Sequence, residues 1–270
     1  MSVYTEQRGT TINSLKRMKQ TGEKIACLTA YDASFAAVLE TAGVDVILVG
    51  DSLGMVIQGH ETTVPVTVDE VVYHARAVAR GSRRAFRIVD MPFMSYAEPP
   101  QALINAARLM QEGGAHMVKL EGGETQVEIV RRLTAHDIPV CAHLGLQPQS
   151  IYKLGAYRVQ GRDPAGAAKM LDTAIMVEAA GAALLVLECV PAVLAAEITA
   201  KLGIPVIGIG AGRDCDGQIL VLYDILGVSL DRAPCFSRDF LIGAGGISEA
   251  VKQYVRAVKA MTFPTAEHSF

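Results

Sequence analysis

The sequence predicts a (β/α)8 barrel with an extra helix ahead of the first strand. Three observations carry this. Short apolar runs alternate with helical patterns seven clear times along 270 residues. The runs are continuously apolar rather than alternating, so both faces of each strand are buried and the sheet is parallel. Most runs also stop at an acid, a histidine or a glycine turn, which is how a parallel barrel presents polar groups at the carboxyl ends of its strands. Half of the residues are hydrophobic, which suits one α/β domain over residues 1–270 with a large core.

Residues 10–21 read as an amphipathic helix. Ile12, Leu15 and Met18 are spaced three apart with Lys16 and Lys19 between them, Thr10 or Thr11 can cap it, and Gly22 can end it. A helix in this place can close the bottom of a barrel. Strands then fall at 25–30, 44–49, 86–89, 116–120, 138–142, 183–187 and 204–209. Helices at 34–42, 68–80, 99–112, 125–136, 164–180, 191–202 and 217–226 follow them in turn. The eighth unit is the weakest, with 233–236 as its strand and 247–260 as its helix. The longest irregular stretches, 55–67 and 145–163, both follow strand ends and so lie over one face. The second contains Gly145, Gly155 and Gly161 and is a candidate lid.

Composition excludes several classes. The formal net charge is −3 and there is no long basic block, so nothing points to nucleic acid or to an anionic membrane. The cluster at 80–87 reads as a solvated helix end and loop. No apolar stretch approaches the ~20 residues that span a bilayer, and the charged segment 1–17 lacks the apolar centre of a signal peptide. The five cysteines are odd in number and lack paired spacing. Cys27, Cys141 and Cys189 lie in or just after strands and read as reduced fillers in a cytoplasmic protein.

The chemistry sits where the strands stop. Asp51 and Ser52 follow the run ending at Val49, Asp90 follows Val89, and Glu121 follows Leu120. At one barrel rim, three such acids repel one another, and a divalent cation relieves this. Oxygen-only ligation with positions open to water or substrate suits Mg²⁺. The other reading is that each acid caps the helix after it. Glu188 stands in the apolar setting Leu184-Leu185-Val186-Leu187-Glu188-Cys189. Desolvation there suits a general base, and a supporting hydrogen bond to a ligand or lysine is the alternative. Lys119 and Glu121 are two apart in a strand and share a face. Lys119 is thus either half of a buried ion pair or the partner of a substrate carboxylate. His143 ends its own strand at the same rim and is open between core packing and substrate contact. The run Gly208-Ile209-Gly210-Ala211-Gly212 lacks the continuation of a dinucleotide site and reads as a turn where backbone approaches a ligand or a neighbouring segment.

Seven motifs in order resemble one family. They are Val49-Gly50-Asp51-Ser52-Leu53-Gly54-Met55, Asp90-Met91-Pro92-Phe93-Met94, Val118-Lys119-Leu120-Glu121-Gly122-Gly123, His143-Leu144-Gly145-Leu146 with Pro148-Gln149-Ser150, Leu187-Glu188-Cys189-Val190-Pro191, Ile207-Gly208-Ile209-Gly210-Ala211-Gly212 and Asp216-Gly217-Gln218-Ile219-Leu220. Together they look like the 3-methyl-2-oxobutanoate hydroxymethyltransferases, also called ketopantoate hydroxymethyltransferases. This resemblance implies a barrel of the phosphoenolpyruvate mutase kind. It implies transfer of a hydroxymethyl group from 5,10-methylenetetrahydrofolate to 3-methyl-2-oxobutanoate through a Mg²⁺-stabilised enolate, giving 2-dehydropantoate for pantothenate and coenzyme A synthesis. By the same resemblance, Asp51, Asp90 and Glu121 are the Mg²⁺ positions. Asp51, Ser52, Asp90, Lys119 and His143 face the keto acid, and Glu188 is the proton acceptor. A homo-oligomer, typically a decamer, is implied as well. Two rival readings stand beside it: a lyase of the phosphoenolpyruvate mutase/isocitrate lyase type, and a non-catalytic ligand-binding barrel.

Overall fold

Parallel strands bonded on both sides leave no edge only if the last one returns to the first. The computed structural model, which describes residues 9–229 and 233–270, shows that closure. Its strands are β1 (Ile25–Thr29), β2 (Val46–Val49), β3 (Phe86–Asp90), β4 (Met117–Glu121), β5 (Val140–Gly145), β6 (Leu184–Glu188), β7 (Val206–Ile209) and β8 (Gly217–Leu220). They pair in sequence order, all parallel, and β8 bonds back to β1. The main outer helices are α2 (Ala33–Thr41), α4 (Val68–Gly81), α5 (Pro99–Gln111), α6 (Val127–Thr134), α8 (Pro164–Ala179), α9 (Ala192–Lys201) and α11 (Ile247–Lys259). Single helical turns α3 (Leu53–Val56), α7 (Ile151–Leu154) and α10 (Leu222–Ile225) lie in the loops.

The apolar side chains divide into two bodies. One fills the space between strands and helices. The other fills the barrel with alternate strand residues, such as Phe86 and Ile88 of β3 and Leu184 and Val186 of β6. Leu15 and Met18 of α1 (Ile12–Thr21) join this second body, so the leading helix plugs the amino-terminal mouth as expected. Thr11 caps α1 and Gly22 ends it at φ 75°. Lys19 ties its last turn to Asp216 at 2.7 Å.

The eighth unit corrects the sequence reading. The strand is Gly217–Leu220, inside the stretch expected to be a helix, and residues 233–236 form no strand. Glycine and glutamine hide this strand from an apolar count. Gly217 is needed because a Cβ there would stand 2.4 Å from the Ile25 carbonyl oxygen. Gln218 is buried but satisfied, donating to the Gly212 carbonyl. Bonds to β1 and β7 on either side hold the segment.

The basic segment before β3 is organised by one acid. Glu40 Oε2 accepts from the Ser82 hydroxyl and the N–H groups of Arg83, Arg84 and Ala85. Burial pushes its carboxyl up, but the Arg84 and Ala85 N–H groups, the Ser82 hydroxyl and the Arg83 N–H outweigh this and bring it down to about 2. Glu40→Gln removes the charge from these bonds and is expected to cost about 1–2 kcal/mol at neutral pH. The folded value lies below the unfolded value of about 4.3, so this contribution is complete above the latter and disappears as pH falls toward 2. Urea unfolding of both proteins should show the stability gap closing across that acid window.

Candidate active site

Each strand lifts its interior residues two at a time, and the chemistry changes with height. On β3 the order upward is Phe86, Ile88, Asp90. On β4 it is Met117, Lys119, Glu121; on β5, Cys141 then His143; and on β6, Leu184, Val186, Glu188. An apolar plug therefore carries a layer of ionisable groups. Strand register sets them side by side, with Asp90 opposite Lys119, Glu121 opposite His143, and Gly145 opposite Glu188. Asp51 and Ser52 come from the turn after β2.

The ammonium of Lys119 lies 3.0 Å from Asp90 Oδ1, 3.8 Å from Glu121 Oε1 and 3.2 Å from His143 Nδ1. Burial pushes Lys119 toward neutrality, but Asp90, Glu121 and Asp51 outweigh that and hold it charged. The Asp51 N–H donates to Asp90 Oδ2 at 3.0 Å. Burial, then Asp90 and Glu121, push the Asp51 carboxyl well above the usual carboxylate range. Burial also raises Glu121, but His143, Lys119 and the Gln149 N–H bring its net position below the ordinary value. His143 stands with Nδ1 3.5 Å from Glu121 and Nε2 3.3 Å from Glu188. Burial and Lys119 push the imidazole down, yet the nearby carboxylates of Glu121 and Glu188 raise it to about 9. Glu188 is the most open of the four acids, its side chain 14 % exposed against 3 % for Asp90 and Glu121.

All the residues expected at the site thus meet at one mouth. Three to which the sequence reading gave no role meet there too, one of them, Gln149, already quoted within a motif. Tyr31, just beyond β1, shares a 2.8 Å hydrogen bond with Ser52. Gln149 and Tyr96, both from loops, bond to each other and to Asp51 and Glu121. Tyr31 was within reach of the strand-end rule; the other two come from loops, where that rule does not look.

The loops above obey their own constraints. Residues 145–163 are tied at both ends, because Leu146 N–H donates to the Glu188 carbonyl and Gln160 N–H to that of Cys189. The middle of this loop crosses to the other long loop, where the Tyr157 hydroxyl lies 3.9 Å from Met55 Sδ. Gly145 sits at φ 93°, and a Cβ there would stand 2.2 Å from the Glu188 carbonyl oxygen. A cavity of about 570 Å³ opens beside Glu121 and Gly145, with Phe93, Met94, Gln147 and Lys153 on its walls. The turn after β7 faces protein instead: a Cβ at Gly210 would meet the rings of Phe236 and Phe270.

The comparisons with known proteins agree in direction. The family model for ketopantoate hydroxymethyltransferase matches residues 9–266. A relative from Nitrosococcus oceani, named 3-methyl-2-oxobutanoate hydroxymethyltransferase, is 60% identical over 260 residues, covering 96% of this chain and 98% of its own. Another of the same name from Alkalilimnicola ehrlichii is 61% identical over 264 residues, covering 98% and 95%. Among solved structures, 2,3-dimethylmalate lyase, a phosphoenolpyruvate mutase/isocitrate lyase superfamily member, aligns with TM-score 0.58 at 16% identity, covering 78% of this chain and 80% of that one. Phosphonopyruvate hydrolase in complex with oxalate and Mg²⁺ aligns with TM-score 0.60 at 14% identity, covering 96% and 93%. At such identities the two structures bear on the fold alone.

Two substitutions probe this geometry. Lys119→Met leaves the surrounding carboxylates without their buried cation, and urea unfolding at neutral pH should show a loss of about 3–5 kcal/mol. Gly145→Ala drives a methyl group into the backbone that carries Glu188 at a backbone angle alanine resists. It should cost at least about 1–3 kcal/mol in the same assay.

Proposed function

The chain belongs to the ketopantoate hydroxymethyltransferase family, and from that premise we propose how its site works and with what. The substrate is 3-methyl-2-oxobutanoate, the one-carbon donor is 5,10-methylenetetrahydrofolate, and the product is 2-dehydropantoate, a precursor of pantothenate and coenzyme A. The observation that carries this reading is the buried ionic layer, in which a surplus of carboxylates surrounds one lysine next to a more open acid, Glu188.

Mg²⁺ fits these residues. The donors are all carboxylate oxygens, and Asp51, Asp90 and Glu121 crowd around the single ammonium of Lys119, an arrangement that a divalent cation relieves. Among the described residues, no three His, Cys, Asp or Glu side chains enclose a common point. Mg²⁺ needs only one or two carboxylates, because it completes its shell with water and substrate oxygens. Asp51 and Asp90 would hold it. Glu121 already serves Gln149, His143 and Lys119 with its two oxygens, and it completes the acidic set from further out. When bound, Mg²⁺ supplies Lewis-acid polarisation of the 2-oxo group.

The remaining work belongs to the chain. Lys119 and the Ser52 hydroxyl, itself held by Tyr31, orient the substrate carboxylate. Glu188 takes the C3 proton, and His143 at 3.3 Å steadies its carboxylate. The carbon nucleophile then attacks the methylene carbon of the donor, opened as an iminium, and forms the new C–C bond; the C–N bond to the folate then breaks, tetrahydrofolate leaves with the proton, and water supplies the hydroxyl of 2-dehydropantoate. The donor enters the cavity beside Glu121, because Gly145 on its wall is the register partner of Glu188.

Deuterium exchange at C3, followed by proton NMR in D₂O without the donor, tests this reading. Exchange is expected with Mg²⁺, lost with a chelator, and slowed about 10²-fold or more in Glu188→Gln. A wild-type protein that exchanges no deuterium even with tetrahydrofolate present would sink the keto-acid assignment. Turnover without any methylenetetrahydrofolate would sink the donor.

A further inference from the structure

Gln149 is 6% exposed and lies in the turn Pro148–Ser150 immediately after β5. Its side-chain nitrogen donates to Asp51 Oδ2 at 2.7 Å and to the Met91 carbonyl at 3.0 Å. Its side-chain oxygen accepts from the Tyr96 hydroxyl. Its backbone N–H donates to Glu121 Oε2 at 3.0 Å. Two acceptors on one side and a hydroxyl on the other leave the amide a single orientation. Tyr96 has one hydrogen to give, and with that given to Gln149 its oxygen accepts the Glu121 N–H.

We propose that Gln149 is a positioning residue for the metal-binding carboxylate of Asp51, and that Tyr96 acts through Gln149. This rests on the proposed assignment of Asp51 to Mg²⁺. The amide is suited to the role because it is neutral. A lysine or arginine in its place would fix the carboxylate equally well but would cancel the charge that attracts the ion. The amide occupies Oδ2, and Oδ1 accepts no hydrogen bond among the described residues. One direction of the carboxylate is thereby held and the other is left for a ligand. The same residue grips Glu121 through its backbone, so it ties together two acids that arrive from different strands. Outer hydrogen bonds of this kind orient metal-binding side chains, and their loss weakens metal affinity by about 10–100-fold.

The test uses the full chain and Mn²⁺ as the probe, with free ion counted by electron paramagnetic resonance, both with and without 3-methyl-2-oxobutanoate. Gln149→Leu removes the amide but keeps the backbone donor to Glu121. Its Mn²⁺ dissociation constant should rise about 10–100-fold, while circular dichroism shows the fold retained. Tyr96→Phe keeps the ring and should give a smaller rise, about three- to tenfold. It also carries the test if the leucine variant does not fold. The double variant should bind no more weakly than Gln149→Leu alone, because Tyr96 acts through the amide. Asp51→Asn should abolish binding. If Gln149→Leu and Tyr96→Phe bind Mn²⁺ within twofold of wild type while Asp51→Asn does not bind, Gln149 is structural only and the metal assignment stands. A lowered thermal midpoint with unchanged affinity has the same meaning. Fully additive effects of the two changes would remove Tyr96 from the proposal. If the wild-type protein binds no Mn²⁺ in either condition, the metal assignment and this inference fall together.

Discussion

The contact between Lys119 and Asp90 is the constraint on which the mouth of this barrel depends. The two groups lie 3.0 Å apart, and their side chains are 5 % and 3 % exposed. A lysine this deep stays charged only with carboxylates around it, and carboxylates this crowded remain together only with a cation among them. The apolar plug beneath sharpens both requirements, because it keeps water from screening the charges from below. The layer is thus self-consistent but unbalanced. Asp51, Asp90, Glu121 and Glu188 face one lysine and one histidine, and burial, then Asp90 and Glu121, push the Asp51 carboxyl up.

Five of these groups stand on paired strands rather than in loops. Asp90, Lys119, Glu121, His143 and Glu188 all project from strands that are paired on both sides. The next residue in the chain turns Glu188 into place: Cys189 adopts φ 48°, and its carbonyl is held by Gln160. Met94, on the wall of the neighbouring cavity, sits at φ 61°. Non-glycine residues in this region carry strain that the surrounding structure must offset, and both lie where the chain bends around the mouth. The loop over residues 145–163 is anchored at its root and its return, so any movement it makes is confined to its middle.

Much of this was readable residue by residue. An apolar run that stops at an acid is a local signal, and Asp51, Asp90, Glu121 and Glu188 all carry it. The two-residue spacing of Lys119 and Glu121 showed that they share a face. The leading helix was plain from its threefold spacing and its terminal glycine. Strand β8 was misplaced because its residues, Gly217 and Gln218 among them, suit a strand only when two neighbours bond to it. Gln149 lies 98 residues from Asp51 along the chain, and no local pattern of charge or hydrophobicity joins them.

The chain alone therefore determined the first seven strands, their parallel arrangement and which residues stand at their ends, since each depends on neighbours within a few positions. The tertiary structure alone decided which face of each strand turns inward. Strands buried on both sides lose the two-residue alternation that would mark their faces, so only closure of the barrel assigns Ile88 and Asp90 to the interior and Val89 to the helices. It also decided that a loop glutamine and a loop tyrosine meet the acids. The hydrogen bonds that bind these side chains form only after eight strands have brought distant segments within about 3 Å of one another.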